Sequence, residues 1–274
     1  MKQDFSFSVL MSVYAKDRPL WLAQALDSVL QNSLLPKEIV VVTDGPIGED
    51  LQKVLTDFTQ KSPLIRLLPL DKNVGLGAAL NKGLSVCSCP WVARMDADDI
   101  SLPGRFAQQI SLLKQNTDIA VLGGWVQETD SATLTPLSVR RVPEKPADIL
   151  KFLKKRCPFN HMSVMFKKSA VTAVGGYQPF YLLEDYYLWA RLAAAKYPMA
   201  NLPKILVNAR VDENMYARRG GWKYFKSNCA LSRRLRQLGL ISWLTHGHNV
   251  GVRFCVQVLL PNSWRGLFYR KVLR

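Results

Sequence analysis

Along the first half of the chain, short apolar runs take turns with stretches in which apolar residues recur every three or four positions. The first rhythm reads as buried strand, the second as a helix laid on a sheet. Residues 7–13 form the opening strand. Pro19 then starts a helix with Leu22, Ala25, Leu26, Val29 and Leu30 on one face. Residues 38–43 make a short, almost wholly apolar strand, as in the middle of a parallel sheet, and it stops at the turn Asp44-Gly45-Pro46. A second helical stripe (Leu51, Val54, Leu55, Phe58), a strand over 65–68 and a third stripe (Leu76, Ala79, Leu80, Leu84) follow. A strand over 91–95, a helix near 102–116 with Phe106, Ile110 and Leu113 inward, and a strand over 119–126 complete the run. Repeated β–α units of this length predict an α/β fold with a mostly parallel central sheet and helices on both faces.

The second half is less regular. Residues 127–160 carry Pro136, Pro143, Pro146 and Pro158, with room for one short helix near 147–155. A short strand over 163–166, a turn at Gly175-Gly176-Tyr177, a helix opened by Glu184-Asp185 and a strand near 205–211 come next. Basic helical segments near 218–238 and 248–260 follow, so the expected division is a body over 1–213 and a helical tail over 214–274.

Charge sharpens that division. The 274 residues carry a net +16, and residues 214–274 hold twelve Lys or Arg with no Asp or Glu, so the tail supplies +12 of it. An anionic membrane surface, nucleic acid or an acidic substrate would each attract such a tail. Five unevenly spaced cysteines, including C-x-C at 87–89, fit neither a redox nor a zinc pattern, and a reducing compartment is expected. Lys2 and Asp4 lead into strand alternation rather than a signal-peptide core.

The chemistry concentrates at Met95-Asp96-Ala97-Asp98-Asp99. An apolar strand runs straight into three carboxylates within four positions, a crowding that is costly unless a cation offsets it. In extended chain Asp96 and Asp98 share a side, and two hard oxygen ligands at a strand end suit Mg²⁺ or Mn²⁺ held with substrate phosphates. A plain turn with Asp98 or Asp99 capping the next helix is the simpler alternative. In a doubly wound sheet the ligand crevice lies at the carboxyl ends of the strands, where Asp44 and this cluster both fall. Dinucleotide binding is disfavoured, because the first strand leads into Tyr14-Ala15-Lys16-Asp17-Arg18-Pro19 without a glycine. No P-loop, G-x-S-x-G or H-E-x-x-H is present.

Five elements in this order resemble the inverting GT-A glycosyltransferases of bacterial family 2, which build O-antigen, capsule and other exopolysaccharides. They are the opening strand ending at Tyr14-Ala15, the apolar strand ending in Asp44-Gly45, the segment from Asn73 through Gly75 to Asn81, Asp96-Ala97-Asp98-Asp99, and Glu184-Asp185 at a helix start. The resemblance covers roughly residues 5–215. It implies a GT-A-like catalytic body that uses Mn²⁺ or Mg²⁺ and a nucleotide-sugar. Tyr14 and Ala15 would line the base pocket, and Asp44 would accept the N3–H of uracil, which favours a UDP-sugar. Thr43 stands where the family commonly has another acid. Lys72, Asn73 and Gly75 would approach the nucleotide, Asp96 the ribose or a metal-bound water, and Asp98 the metal. Asp185, or failing it Glu184, would be the base that deprotonates an acceptor hydroxyl. Asn160 and His161 would shape the acceptor or diphosphate side. Asp212 and Glu213 stand where some relatives place a metal-binding histidine.

The implied activity is hexosyl or N-acetylhexosaminyl transfer to a saccharide or lipid-linked saccharide in surface polysaccharide biosynthesis. The tail mixes its charges with Phe254, Leu259, Trp264, Phe268 and Tyr269, which suits a cytoplasmic enzyme lying on the inner face of the cell membrane. No nucleic-acid-binding motif accompanies the basic residues, which counts against that partner. Two rival readings are a non-catalytic basic α/β protein that docks on nucleic acid or membrane, and a nucleotidyltransferase. The second lacks the glycine-rich, lysine-containing opening loop it would need.

Overall fold

The computed structural model describes residues 4–211 and 220–259. Its nine-stranded sheet runs β3-β2-β1-β4-β8-β6-β9-β5, with β7 paired to β6. In chain order the strands are β1 (Phe7–Val13), β2 (Glu38–Thr43), β3 (Ile65–Pro69), β4 (Trp91–Arg94), β5 (Ile100–Ser101), β6 (Val121–Asp130), β7 (Pro136–Arg140), β8 (Met165–Lys167) and β9 (Met199–Val211). The helices are α1 (Pro19–Leu30), α2 (Glu49–Lys61), α3 (Leu76–Val86), α4 (Arg105–Gln115), α5 (Pro146–Leu153), α6 (Lys168–Ala173), α7 (Glu184–Ala194), α8 (Gly221–Gln237) and α9 (Trp243–Phe254).

The sheet is mixed and mostly parallel. β1, β2, β3, β4, β6 and β9 run one way, while β8, β5 and β7 oppose their neighbours. The parallel block β3-β2-β1-β4 is the part that the early β–α rhythm predicts. Alternate strand residues feed two cores. Val9, Met11, Val13, Ile39 and Val41 face α1, α2 and α4, whereas Leu10, Val40 and Val42 face α3 and, beyond it, α7. α3 can lie close because residue 83 is glycine: a Cβ there would collide with Leu10 and Val42.

Where the prolines obscure the rhythm, the chain is more ordered than its sequence suggests. β6 continues to Asp130 and pairs with β7, which begins at Pro136 on the sheet's flank. A proline is tolerated there because no ladder donor is demanded of it. The two-residue strand β5, the short helix α6 and the forward extension of β9 to Met199 are likewise additions to the sequence reading.

The described part of the tail packs on the body. Tyr224, Leu231, Leu235 and Ile241 join the same core cluster as Leu153, Tyr186 and Trp189. Asn249 Nδ2 donates to the Lys154 carbonyl at 2.8 Å and Arg253 Nη2 to that of Lys155 at 3.0 Å. α9 starts earlier than expected, with Ser242 Oγ accepting the Thr245 N–H, and runs on as π-helix over Cys255–Leu259. Asp212, Glu213, Trp264, Phe268 and Tyr269 lie outside the described residues. None of the described helices is long and apolar enough to cross a membrane.

Candidate active site

Because β1, β2 and β4 are parallel neighbours, their carboxyl ends meet on one edge of the sheet. The residues that follow them line this edge of the candidate site. After β1 the chain folds back on itself, with Asp17 Oδ2 accepting the Tyr14 N–H at 2.9 Å while Tyr14 and Ala15 stay exposed.

After β2 comes Asp44, which is buried. Its two carboxylate oxygens accept the N–H groups of Val74 and Gly75 at 2.7 and 3.0 Å, and its carbonyl accepts Asn73 Nδ2 at 3.1 Å. Asp44 therefore clamps the loop that leads into α3. Gly45 makes the approach feasible: it sits at φ +87°, and a Cβ on it would stand 2.5 Å from the Asn73 nitrogen. Lys72 and Asn73 are exposed on the clamped loop, and Gly75 is its last residue before α3.

After β4 come the acids. Carboxylate oxygens of Asp96, Asp98 and Asp99 all lie within 4.8 Å of one another. Cations hold this turn from below and behind. The buried Arg94 pairs with Asp96. Arg105, fully buried at the start of α4, donates Nη2 to the Arg94 carbonyl at 2.7 Å and Nε to Gln109 at 3.2 Å. From β9, the Arg210 N–H donates to Asp99 Oδ1 at 2.9 Å, and its guanidinium reaches the Asp98 carbonyl and Gln24 Oε1. Burial, with Asp96 beside it, pushes Asp98 up to about 6; burial and both neighbouring aspartates hold Asp99 well above the usual carboxylate range. Asp17 rises to about 7, chiefly through burial, with Asp98 and Asp96 adding to it. Asp96, Asp98 and Asp99 thus bring together three carboxyl groups that could hold a cation, while the arginines offset part of their charge.

On the other side of β4, Tyr177 links the two halves. Its backbone is clasped by Asn81 of α3: Asn81 Nδ2 donates to the Tyr177 carbonyl at 2.6 Å, and the Tyr177 N–H donates to Asn81 Oδ1 at 2.7 Å. The hydroxyl meets His161 Nε2 at 2.9 Å. Burial, reinforced by the Arg94 cation, holds His161 well below the usual imidazole range, so the ring is neutral at neutral pH. Asn160 is buried and donates to the Gly124 carbonyl at 2.9 Å, which makes it a brace for β6. Glu184 and Asp185 open α7, where the helix dipole favours negative charge. Burial and then Asp185 push Glu184 up to about 7. The Cys157 thiol lies 3.4 Å from the Phe159 carbonyl and 3.5 Å from Asp185 Oδ2, sharing its one proton between them, and it stays protonated because burial, then Asp185, raise its pKa far above the ordinary value. Tyr177 feels the charges of Arg94, Asp185, Glu184 and Asp96 together, so the acid turn and the α7 carboxylates share one neighbourhood.

Asp17 stands in the glycine-free segment after the first strand without a role legible there; Arg94, Arg105, Cys157 and Arg210 are likewise contributed by folding, and Tyr177 is legible only as part of a turn. Arg94 carried a usable signal, being a lone charge inside the apolar strand Trp91-Val92-Ala93 just before the acids. Arg210 carried none, since its partners lie more than a hundred residues away.

The family model for glycosyl transferase family 2 matches residues 8–172, which spans β1 through the acid turn to α6. The chain is 43% identical over 238 residues to the amylovoran biosynthesis glycosyltransferase AmsE of Erwinia amylovora, covering 86% of this chain and 88% of that one. It is 38% identical over 268 residues to an Escherichia coli UDP-Gal:α-D-GlcNAc-diphosphoundecaprenol β-1,3-galactosyltransferase, covering 98% and 96%. In fold it matches the mannosyltransferase PcManGT of Pyrobaculum calidifontis, solved with GDP-Man and Mn²⁺, at a TM-score of 0.65 and 15% identity over 94% of this chain and 71% of that one. With an acid turn at the carboxyl edge of a GT-A-like sheet and a carboxylate pair across from it, the chain belongs to glycosyl transferase family 2 and is a glycosyltransferase, moving a sugar from a nucleotide-sugar to a glycan or lipid-linked acceptor with inversion.

Proposed function

We propose that the donor is a UDP-sugar, that Mn²⁺ or Mg²⁺ assists, and that the acceptor is a lipid-linked saccharide presented at the inner face of the cell membrane. The convergence of Asp96, Asp98 and Asp99 at the end of β4 carries this reading. Hard carboxylate oxygens in a small group suit these ions, which take one or two carboxylates and fill the remaining positions with phosphate and water. Asp98 would hold the ion and Asp96 the ribose, while Asp99 is already committed to the Arg210 N–H. The bound ion would offset negative charge growing on the departing diphosphate. A uridine donor and a diphospholipid acceptor are both in the name of the 38% identical E. coli relative, and a neighbour of the same fold is solved with Mn²⁺.

The clamped loop at 72–75 and the exposed Tyr14 and Ala15 would receive the nucleotide. From the opposite face of the sugar, the acceptor oxygen attacks the anomeric carbon. The bond to the diphosphate breaks, its electron pair leaves with the diphosphate, and the hydroxyl proton passes to Asp185. A carboxylate suffices as base because that proton becomes acidic as the new bond forms. The Cys157 thiol, shared between Asp185 and the Phe159 carbonyl, would not compete for that proton. Glu184, raised toward neutrality, is the second candidate. The basic tail would bring the enzyme to its acceptor on the anionic leaflet.

The test is calorimetry of UDP with Mn²⁺. The wild type should bind UDP in a Mn²⁺-dependent manner, and Asp98→Asn should lose that dependence with the fold intact. Unchanged affinity in the mutant would remove Asp98 from the metal site.

A further inference from the structure

The exposed side of α9 is unusual for a water-facing helix. Positions 243, 244, 247, 248, 251, 252 and 255 are solvent-exposed and fall on one face; they hold Trp, Leu, Gly, His, Gly, Val and Cys, with no Lys, Arg, Asp or Glu among them. Leu244 is 87% exposed, Trp243 69%, and Leu259, one turn beyond on the π-helical extension, 63%. The apolar strip continues onto the start of α8. There Trp222, 59% exposed, packs against Phe225 and Phe254 with ring centres 5.7 and 6.1 Å away.

Basic residues lie beside the strip rather than in it. Lys226, Arg233 and Arg234 are exposed on α8, the Arg236 guanidinium lies over the Trp243 ring at 3.7 Å, and the Lys223 ammonium is turned to the Tyr181 ring at 4.0 Å. The opposite side of α9 is fixed to the body through Asn249 and Arg253, so the strip is held outward. A helix with one apolar face, basic flanks and a length of only ~18 Å at 1.5 Å per residue is built to lie in a membrane surface rather than to cross it.

We propose that the uncharged face of α9, from Trp243 to Leu259 and extended by Trp222, inserts into the headgroup–acyl boundary of an anionic lipid leaflet, with the Lys and Arg of α8 against the lipid phosphates. Charge selects this occupant. A second copy would bring two tails, each with twelve Lys or Arg and no acid, against one another. Nucleic acid calls for a row of cations on the contacting face itself, and the α9 face holds no Lys or Arg. The position also serves the reaction, a consequence that rests on the lipid-linked acceptor proposed above. α8 packs into the core cluster that holds α7, and Ser227 of α8 donates to the Tyr181 carbonyl at 2.8 Å, three residues before Glu184. The inserted helix is thus one packing layer from the candidate base.

The experiment uses the full chain and does not depend on transfer activity. Vesicles of equal parts phosphatidylglycerol and phosphatidylcholine, and of phosphatidylcholine alone, are titrated with wild type and with the double variant Leu244→Glu/Val252→Glu, both positions exposed. Lipids brominated near the glycerol end of the acyl chain report insertion by quenching tryptophan. Wild type should bind the anionic vesicles and be quenched. The variant should bind them about tenfold or more weakly and escape quenching, the scale set by losing two apolar side chains from the interface, with an unchanged melting temperature. Equal binding by variant and wild type would overturn the α9 assignment while leaving the attraction of the basic tail standing. Binding by wild type to neither vesicle would overturn both. A dimer in lipid-free solution that the variant converts to monomer would overturn the proposal in favour of self-association.

Discussion

Asp44 offers the sharpest separation between holding the fold and touching the nucleotide. Its carboxylate is buried and already accepts two backbone N–H groups, from Val74 and Gly75. Hydrogen bonds to a charged group contribute roughly 1.5–3 kcal/mol each, and a buried donor left without a partner adds its own cost. Asp44→Ala removes both acceptors and should destabilise the protein by about 3–5 kcal/mol. Asp44→Asn keeps the volume but turns an NH₂ toward one of the N–H groups, so it should lose about 2–3 kcal/mol. For a chain of this size each kcal/mol corresponds to roughly 2–4 °C, which puts the alanine variant about 6–20 °C below wild type. Thermal melts, checked by urea unfolding with the slope compared between variants, measure this directly, and UDP affinity is read on the same samples. If the clamp is the main duty of Asp44, stability and UDP affinity fall together, and both fall less in the asparagine variant. If either variant melts within about 1 °C of wild type while UDP binding collapses, the clamp argument is refuted and the carboxylate acts on the base.

Three further expectations follow from the site. Arg210→Ala should weaken Mn²⁺-dependent UDP binding by roughly 10- to 100-fold, the range for partners that orient metal ligands, because Arg210 holds both the Asp98 carbonyl and Asp99; titration calorimetry reads it. Asp185→Asn should cut turnover by at least ~10²-fold with donor affinity little changed, and a loss of only a few-fold would move the base to Glu184. Glu184, raised to about 7 by burial and by Asp185, binds its proton more tightly folded than unfolded. Its contribution is therefore fully present at low pH and fades as pH rises toward 7. Glu184→Gln should gain on the order of 1–3 kcal/mol relative to wild type at pH 8 and little at pH 4.5 in urea unfolding; equal differences at both pH values would refute it.

The sheet's parallel block was legible because its strands are buried on both faces and its helices keep a clean apolar stripe. β7 and β5 were not, because an edge strand opening on Pro136 and a two-residue strand leave no periodic trace. The acid turn was legible as local sequence. Its cationic frame was not: Arg94, Arg105 and Arg210 reach it from three separate elements. The carboxylate of Asp44 showed where it lies but not what occupies it, since its partners sit thirty residues away on a loop without periodicity. For Asn160 and His161 the type of residue was visible, but the Gly124 and Tyr177 contacts that define them arise from folding.

The three guanidiniums around the acid turn have a consequence for how the substrates arrive. Arg94, Arg105 and Arg210 set three positive charges against the four carboxyl groups of Asp17, Asp96, Asp98 and Asp99. Before any ligand arrives, the pocket is close to neutral. The proposed divalent ion alone would leave it in positive excess and a nucleotide-sugar diphosphate alone in larger negative excess, so each would offset most of the charge that the other brings. Each would then raise the affinity for the other, and thermodynamic reciprocity would make the two enhancements equal. On the proposed reading the site would act as a coincidence detector, filled by the ion–nucleotide pair in preference to either half, and UDP left after transfer would be held more weakly once its ion departs.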